Sequence, residues 1–197
     1  SRGLGDVYKR QPLWCYVAGF DGYRIAGETS TSNSFGSLYI IKCINYEMKI
    51  VASYTSRPHQ MSVFLEQCRL LLELYNAMCL AEREDLAPLQ SHLELKKSIR
   101  LLSREINTDK GQESAYRLQG NRPYGQSASS QKSKQYLMSL AISHCNEQNQ
   151  VFDENGEVID TVFGIETITD IMLHRELQGY GKGNFDRFFA FSHALML

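Results

Sequence analysis

From Trp14 to Phe20 the chain is a run of apolar and small residues that stops at Asp21, which predicts a short buried strand. The polar stretch from Gly22 to Ser34, rich in Ser and Thr, predicts a loop. Phe35–Ile44 and Tyr46–Tyr54 are β-branched and aromatic and are separated at Asn45, so they predict a hairpin beside the first strand. After Pro58, the residues Met61, Phe64, Leu65, Cys68, Leu71, Leu72 and Tyr75 recur every three or four positions. That spacing predicts an amphipathic helix, with Pro near its start where a missing N–H costs nothing. Met78–Ala81 is a short apolar run closed by Glu82, and Asp85 can cap a helix running to about Leu95. Ser98–Leu102 predicts a fifth strand.

Residues 103–130 are polar and hold Gly111, Gly120, Pro123 and Gly125. They predict a long loop or protruding hairpin, and a connection of that length points to function. Helices are predicted at about Gln131–Asn146, Ile165–Gln178 and Asp186–Leu197, with a turn at Asp153-Glu154-Asn155-Gly156. The order of strands and helices suits an α/β domain in which a mixed sheet of about five strands has helices on both faces.

Length and composition narrow the class. The 197 residues can bury a real core, and 43% hydrophobic content argues against disorder. No stretch is long and apolar enough to span a bilayer, and the N-terminus shows no signal-peptide pattern. Cys15, Cys43, Cys68, Cys79 and Cys145 are odd in number, without paired or metal-site spacing, and are expected to be reduced. Ser1–Gln11 (SRGLGDVYKRQ) has no helix or strand period and resembles translated sequencing-adapter read-through. Residues 1–11 are therefore expected to be a non-native scar and 12–197 the domain. Leu197 stops inside an apolar helical run, so the domain is expected to be cut short there.

Net charge is −1, but the charges are segregated. Lys96, Lys97, Arg100, Arg104, Lys110, Arg117, Arg122, Lys132 and Lys134 face only Glu105, Asp109 and Glu113 in the same stretch. From Glu147 to Glu176 acids dominate instead. A basic segment beside acidic ones suits a protein that holds phosphates and divalent metal, although an unevenly charged solvated surface has the same pattern.

Three acids occupy positions that favour chemistry. Asp21 ends the first strand, Glu82 ends the fourth, and Asp186 opens the last helix. Strand ends and helix termini can converge at the edge of an open α/β sheet. Three carboxylates meeting there would repel one another unless a cation joined them, and oxygen donors select Mg²⁺ or Mn²⁺. Each acid alone also has a plain structural reading, as a turn residue, a solvated charge in Glu82-Arg83-Glu84-Asp85, or a carboxylate favoured by a helix dipole. Asp170 reads as a capping residue, and His193 as a packed helix residue. Gly120–Ser127 has the glycines of a phosphate loop, but Gln126 stands in place of Lys, so no ATPase site is expected.

The series of short motifs resembles the nuclease domain of phage terminase large subunits. The resemblance rests on Val17-Ala18-Gly19-Phe20-Asp21 with Ser34-Phe35-Gly36-Ser37, Arg57-Pro58 before a helix, Tyr75–Arg83, and Gly183-Asn184-Phe185-Asp186-Arg187 followed by Ala190. It is ordered and spans nearly all of residues 13–197. It implies an RNase H-like fold and a metal-dependent endonuclease, with Asp21, Glu82 and Asp186 as catalytic metal ligands. It further implies two Mg²⁺ or Mn²⁺ ions about 3.5–4 Å apart.

The implied substrate is duplex DNA. Arg104, Lys110, Arg117, Arg122, Lys132 and Lys134 are the candidates to grip it, aided by Tyr116 and Tyr124. Also implied are a host-cytoplasmic location during phage assembly and three partners: the portal, the small terminase subunit and an ATPase domain of the full protein. Many relatives carry two consecutive acids at the last motif, where this chain has Arg187. Glu84 and Asp85 are alternatives to Glu82 if the strand ends later. Other RNase H-like nucleases, of the resolvase or transposase kind, would share the three acids, and a non-catalytic portal or capsid docking domain would not need them.

Overall fold

The computed structural model describes residues 15–23, 34–44, 47–106, 122–179 and 185–197. The apolar run before Asp21 forms β1 (Tyr16–Asp21), and the β-branched segments form β2 (Gly36–Ile44) and β3 (Glu47–Ser56). Helix α1 (Met61–Tyr75) leads into β4 (Met78–Ala81). The four strands lie in the order β3-β2-β1-β4; β2 is antiparallel to both β3 and β1, while β4 is parallel to β1.

Alternation along the strands explains why both sides of this sheet are covered. Ala18, Phe20, Leu38 and Ile40 face α1 and α2 (Ala87–Leu95), where Phe64, Cys68, Leu72, Leu89 and Leu93 are buried. Val17, Tyr39 and Ile41 face the opposite way. They meet Ala141 of α3 (Gln131–Asn146), Leu173 of α4 (Ile171–Gln178), and Phe188, Ala190, Phe191 and Ala194 of α5 (Asp186–Leu195). Each fully buried large side chain contributes about 1.5–3 kcal/mol, so the two clusters hold the layers together. The result is a mixed α/β fold whose central sheet is flanked by helices on both faces, consistent with the RNase H-like class. Among the described residues, no helix is long and apolar enough to cross a membrane.

One close approach seats α5 on the sheet, and one helix cap turns the chain into β4. A Cβ at Gly19 would stand 1.8 Å from the Ala190 carbonyl oxygen and 2.4 Å from the Ala194 nitrogen. Only glycine lets α5 rest directly on β1. At the other end of α1, Asn76 takes the left-handed conformation (φ 47°) that ends the helix, and the chain turns into β4.

The fold departs from the expected elements in four places. Ser98–Leu102 is a 3-10 turn, Ile99–Leu101, and only Leu102 pairs with the sheet, through a single parallel bridge to Cys79. The sheet therefore has four strands and the stub of a fifth. The helix expected from Asp85 begins at Ala87, because Arg83–Asp85 first makes a 3-10 turn. The helix expected over Ile165–Gln178 is divided into a 3-10 turn, Gly164–Thr167, and α4, which Asp170 caps by accepting from Met172 N (2.8 Å) and Leu173 N (3.2 Å). Between α3 and that turn lies an unforeseen hairpin of β5 (Gln148–Phe152) and β6 (Val158–Phe163), closed around the expected turn at Asp153–Gly156.

Candidate active site

The parallel pairing of β1 and β4 sets Phe20 beside Ala81, so both strands end at the same edge, and Glu82 N donates to Phe20 O at 3.2 Å. Asp21 and Glu82 follow as neighbours. Asp21 is buried at 5% exposure and Glu82 is half-buried. Burial pushes the Asp21 carboxyl well above the ordinary carboxylate range, and the negative charges of Glu82, Asp186 and Asp85 push it further. Glu82 is also raised, first by burial and then by Glu84 and Asp85, while the hydrogen bond from Asp21 and the Lys134 charge pull it back.

Asp186 opens α5 and is 8% exposed. Its two carboxylate oxygens are held separately. Ser34 Oγ donates to one at 2.9 Å and the Phe35 backbone N–H donates to the other at 2.7 Å. Burial raises its pKa, opposed by these two donors and by Arg187 and Arg57. Arg57 fastens the donor loop in turn, giving a hydrogen bond to Ser34 O (2.6 Å) while its guanidinium lies 5.5 Å from the Tyr23 ring centroid.

The structure thus sets two of the expected acids at neighbouring strand ends and the third close enough for its charge to act on Asp21. Carboxylate oxygens are hard donors of the kind that suit Mg²⁺ or Mn²⁺. Among the described residues, however, no three or more His, Cys, Asp or Glu side chains are gathered as a metal-holding group. Asp186 is turned to the Ser34–Phe35 loop and does not close such a group.

The remaining candidates fall into clear places. Glu84 is taken up by Ser127 Oγ (2.5 Å) and Ala128 N (3.4 Å). Arg187 binds Glu176 Oε1 at 3.1 Å and lies 3.9 Å from Asp170 Oδ2, so it ties α5 to α4. Tyr39 OH also donates to Asp170, which serves as a structural anchor. His193 is fully buried, its Nδ1 is 2.7 Å from the Phe189 carbonyl oxygen, and burial lowers its pKa to about 4, so it is a neutral packed residue.

The long loop leaves and rejoins the fold beside Glu82. Arg104 and Tyr124 form an antiparallel bridge, Gln126 pairs in parallel with Glu82, and Gly125, at φ 73°, makes the bend between them. A Cβ at Gly125 would lie 2.8 Å from Ala81 O, so a larger residue would push the loop off the β4 end. Arg104 stacks on the Tyr124 ring (4.4 Å) and donates to Arg122 O (2.5 Å), and Arg122 donates to Glu105 O at 3.4 Å. These two arginines fasten the loop base. Lys132 and Lys134 lie in the first turn of α3. Lys110, Tyr116, Arg117, residues 1–11 and the Gly183-Asn184 part of the last motif lie outside the described residues.

Sequence reasoning assigned no role to Ser34, the Phe35 N–H or Arg57, which together position Asp186. Ser34-Phe35 and Arg57-Pro58 stand out in the chain as motifs, but a backbone donor reaching across 151 positions has no local signature.

No protein-family model and no curated protein matches the chain. Among solved structures, it is similar to the crystal structure of the large terminase nuclease from thermophilic phage G20c, with 12% identity and a TM-score of 0.48. The overlap covers 92% of this chain and 81% of that one. At that level no residue role transfers between the two.

Proposed function

We propose that this chain is a metal-dependent DNA endonuclease domain of the viral packaging terminase kind, hydrolysing phosphodiester bonds of duplex DNA. The observation that carries this reading is the placing of Asp21 and Glu82 side by side at the ends of adjacent parallel strands, with Asp186 close enough for its charge to act on Asp21. A buried acid pair costs stability unless its charge is used, and such perturbed carboxyls mark functional sites. The ordered motif resemblance supplies the substrate class.

Asp21, Glu82 and Asp186 would hold Mg²⁺ or Mn²⁺, as one ion or two. A divalent cation there supplies charge neutralisation for attack on a phosphodiester and for departure of the 3′ oxygen. The chain's own residues do the rest. Ser34 and Phe35 orient Asp186, Lys134 places positive charge beside Glu82, and Arg104 fastens to Arg122 O next to the same edge. Contacts of this kind address phosphates and read little sequence. The portal, the small terminase subunit and an ATPase domain are the partners this reading assigns to the complete protein.

The test is nicking and linearisation of supercoiled plasmid in Mn²⁺, Mg²⁺ or EDTA, beside Asp21→Ala and Asp186→Ala. Cleavage that needs metal and disappears in both variants is expected. A folded chain that neither binds Mn²⁺ nor cuts would overturn the assignment and favour a docking domain.

A further inference from the structure

Between the first turns of α3 and the segment after Gly125 lies a cavity of about 220 Å³, lined by Gln126, Ser127, Lys132, Ser133, Tyr136 and Met196, with Leu137 at its apolar side. Ordinary small-molecule clefts measure about 300–1,000 Å³, so this one suits a single unit of a longer ligand. Lys132, Ser133, Tyr136 and Leu137 are spaced by one, three and four residues, which puts them on one side of α3. Tyr136 keeps 40% of its surface exposed and so has ring surface left for a ligand.

The two ends of the cavity differ in charge. Ser127, at one rim, is committed to the Glu84 carboxylate, so that end repels anions. Lys132 makes the other end the one suited to a phosphate, beside the Ser133 hydroxyl, which is paired with Ser130 Oγ at 2.8 Å and turns its hydrogen outward when Ser130 is the donor. Gln126 lies between: its Oε1 accepts from Ile106 N at 3.0 Å, which fixes the amide plane. The backbone of Gln126 pairs with Glu82, so the cavity adjoins the acid pair.

We propose that this cavity is a nucleotide subsite that takes one nucleotide of single-stranded DNA, with its phosphate on Lys132 and Ser133 and its base on the Tyr136 ring against Leu137 and Met196. A base inside a duplex has both faces covered by its neighbours, so only an unstacked one can use the ring. The choice of DNA as ligand rests on the nuclease reading above. One strand held beside the acid pair would keep the adjoining phosphodiester at the end of β1 and β4.

The experiment is fluorescence anisotropy of fluorescein-labelled dT12 with the full chain in EDTA and low salt, using wild type, Tyr136→Ala and Lys132→Ala. Tyr136→Ala is expected to weaken binding about tenfold, the loss of one stacked base. Lys132→Ala should weaken binding with a shallower salt dependence. Wild-type affinity in both Tyr136→Ala and Lys132→Ala would overturn the subsite. EDTA keeps cleavage out of the readout, so the two readings fail separately. Binding through Tyr136 in a chain that never cuts leaves the subsite standing and removes the nuclease. Metal-dependent cutting with unchanged dT12 binding in both variants does the reverse.

Discussion

Asp21 and Glu82 end strands that lie side by side only because β4 runs parallel to β1, and the Glu82 N–H donates to Phe20 O at 3.2 Å across the join. Burial and neighbouring negative charge raise both carboxyl pKa values, and a bound cation would offset that cost. The pair therefore has a stability signature as well as a chemical one.

Asp21→Asn should raise the melting temperature of the metal-free chain at pH 7, because it removes a buried carboxyl whose ionisation is opposed by burial and by the charges of Glu82, Asp186 and Asp85. A gain of about 1 kcal/mol corresponds to roughly 2–4 °C at this chain length. Millimolar Mn²⁺ should raise the melting temperature of wild type and leave that of Asp21→Asn nearly unchanged. Thermal melts with and without Mn²⁺ check both, and equal Mn²⁺ shifts in the two proteins would remove Asp21 from the metal site.

Gly19→Ala should be among the costliest single-methyl additions in this chain. The added carbon meets backbone of α5, which cannot swing aside as a side chain can. Overpacking of this sort costs about 1–3 kcal/mol, and moving α5 also draws Asp186 away from Ser34 and Phe35. Urea unfolding should show the loss in stability, and plasmid nicking should fall with it. A Gly19→Ala protein with wild-type midpoint and activity would mean that α5 does not rest on β1 as described.

Arg187 occupies the place where many relatives of the resembled family have a second acid. Restoring one, Arg187→Asp, should destabilise the chain without improving Mn²⁺ binding. The guanidinium lies between Glu176 and Asp170, and an aspartate there leaves three acids together. The loss of a half-buried ion pair with repulsion added is about 2–3 kcal/mol. Chemical denaturation and Mn²⁺ titration calorimetry decide it, and an unchanged midpoint would show the pair to be a solvated surface contact.

Much of this arrangement was legible in the chain, and the exceptions have physical causes. β1 was readable because Val17, Ala18 and Phe20 are buried on both faces of the sheet and Asp21 interrupts them. Ser98–Leu102 was misread because five residues with three apolar side chains fit a strand or a turn equally, and only the bridge from Leu102 to Cys79 tells them apart. The β5–β6 hairpin escaped because Val158, Ile159 and Phe163 are exposed, so its strands carry no buried stripe to produce alternation. At the site, the strand-end acids were visible as punctuation, whereas the Asp186 orientation depends on Ser34 and Phe35, which lead into β2 152 and 151 positions earlier in the chain. That dependence is tertiary, and no window of the sequence contains it.

His193 gives the last prediction, and its sign can be worked out in full. It sits inside α5 with its Nδ1 on the Phe189 carbonyl oxygen and no partner for Nε2, and its pKa is lowered from 6.5 to about 4 by burial. Between those values the unfolded chain binds a proton that the folded chain refuses, so stability falls as pH drops from 6.5 toward 4 and is fully present above 6.5. The effect amounts to roughly 3 kcal/mol at the acid end. His193→Gln should flatten the difference between midpoints measured at pH 7 and pH 4.5, and the imidazole resonances should stay those of a neutral ring down to about pH 4. An imidazole that titrates near 6.5 in the folded protein would show that water reaches α5 from the β1 side, and the close seating of α5 against Gly19 would have to be abandoned with it.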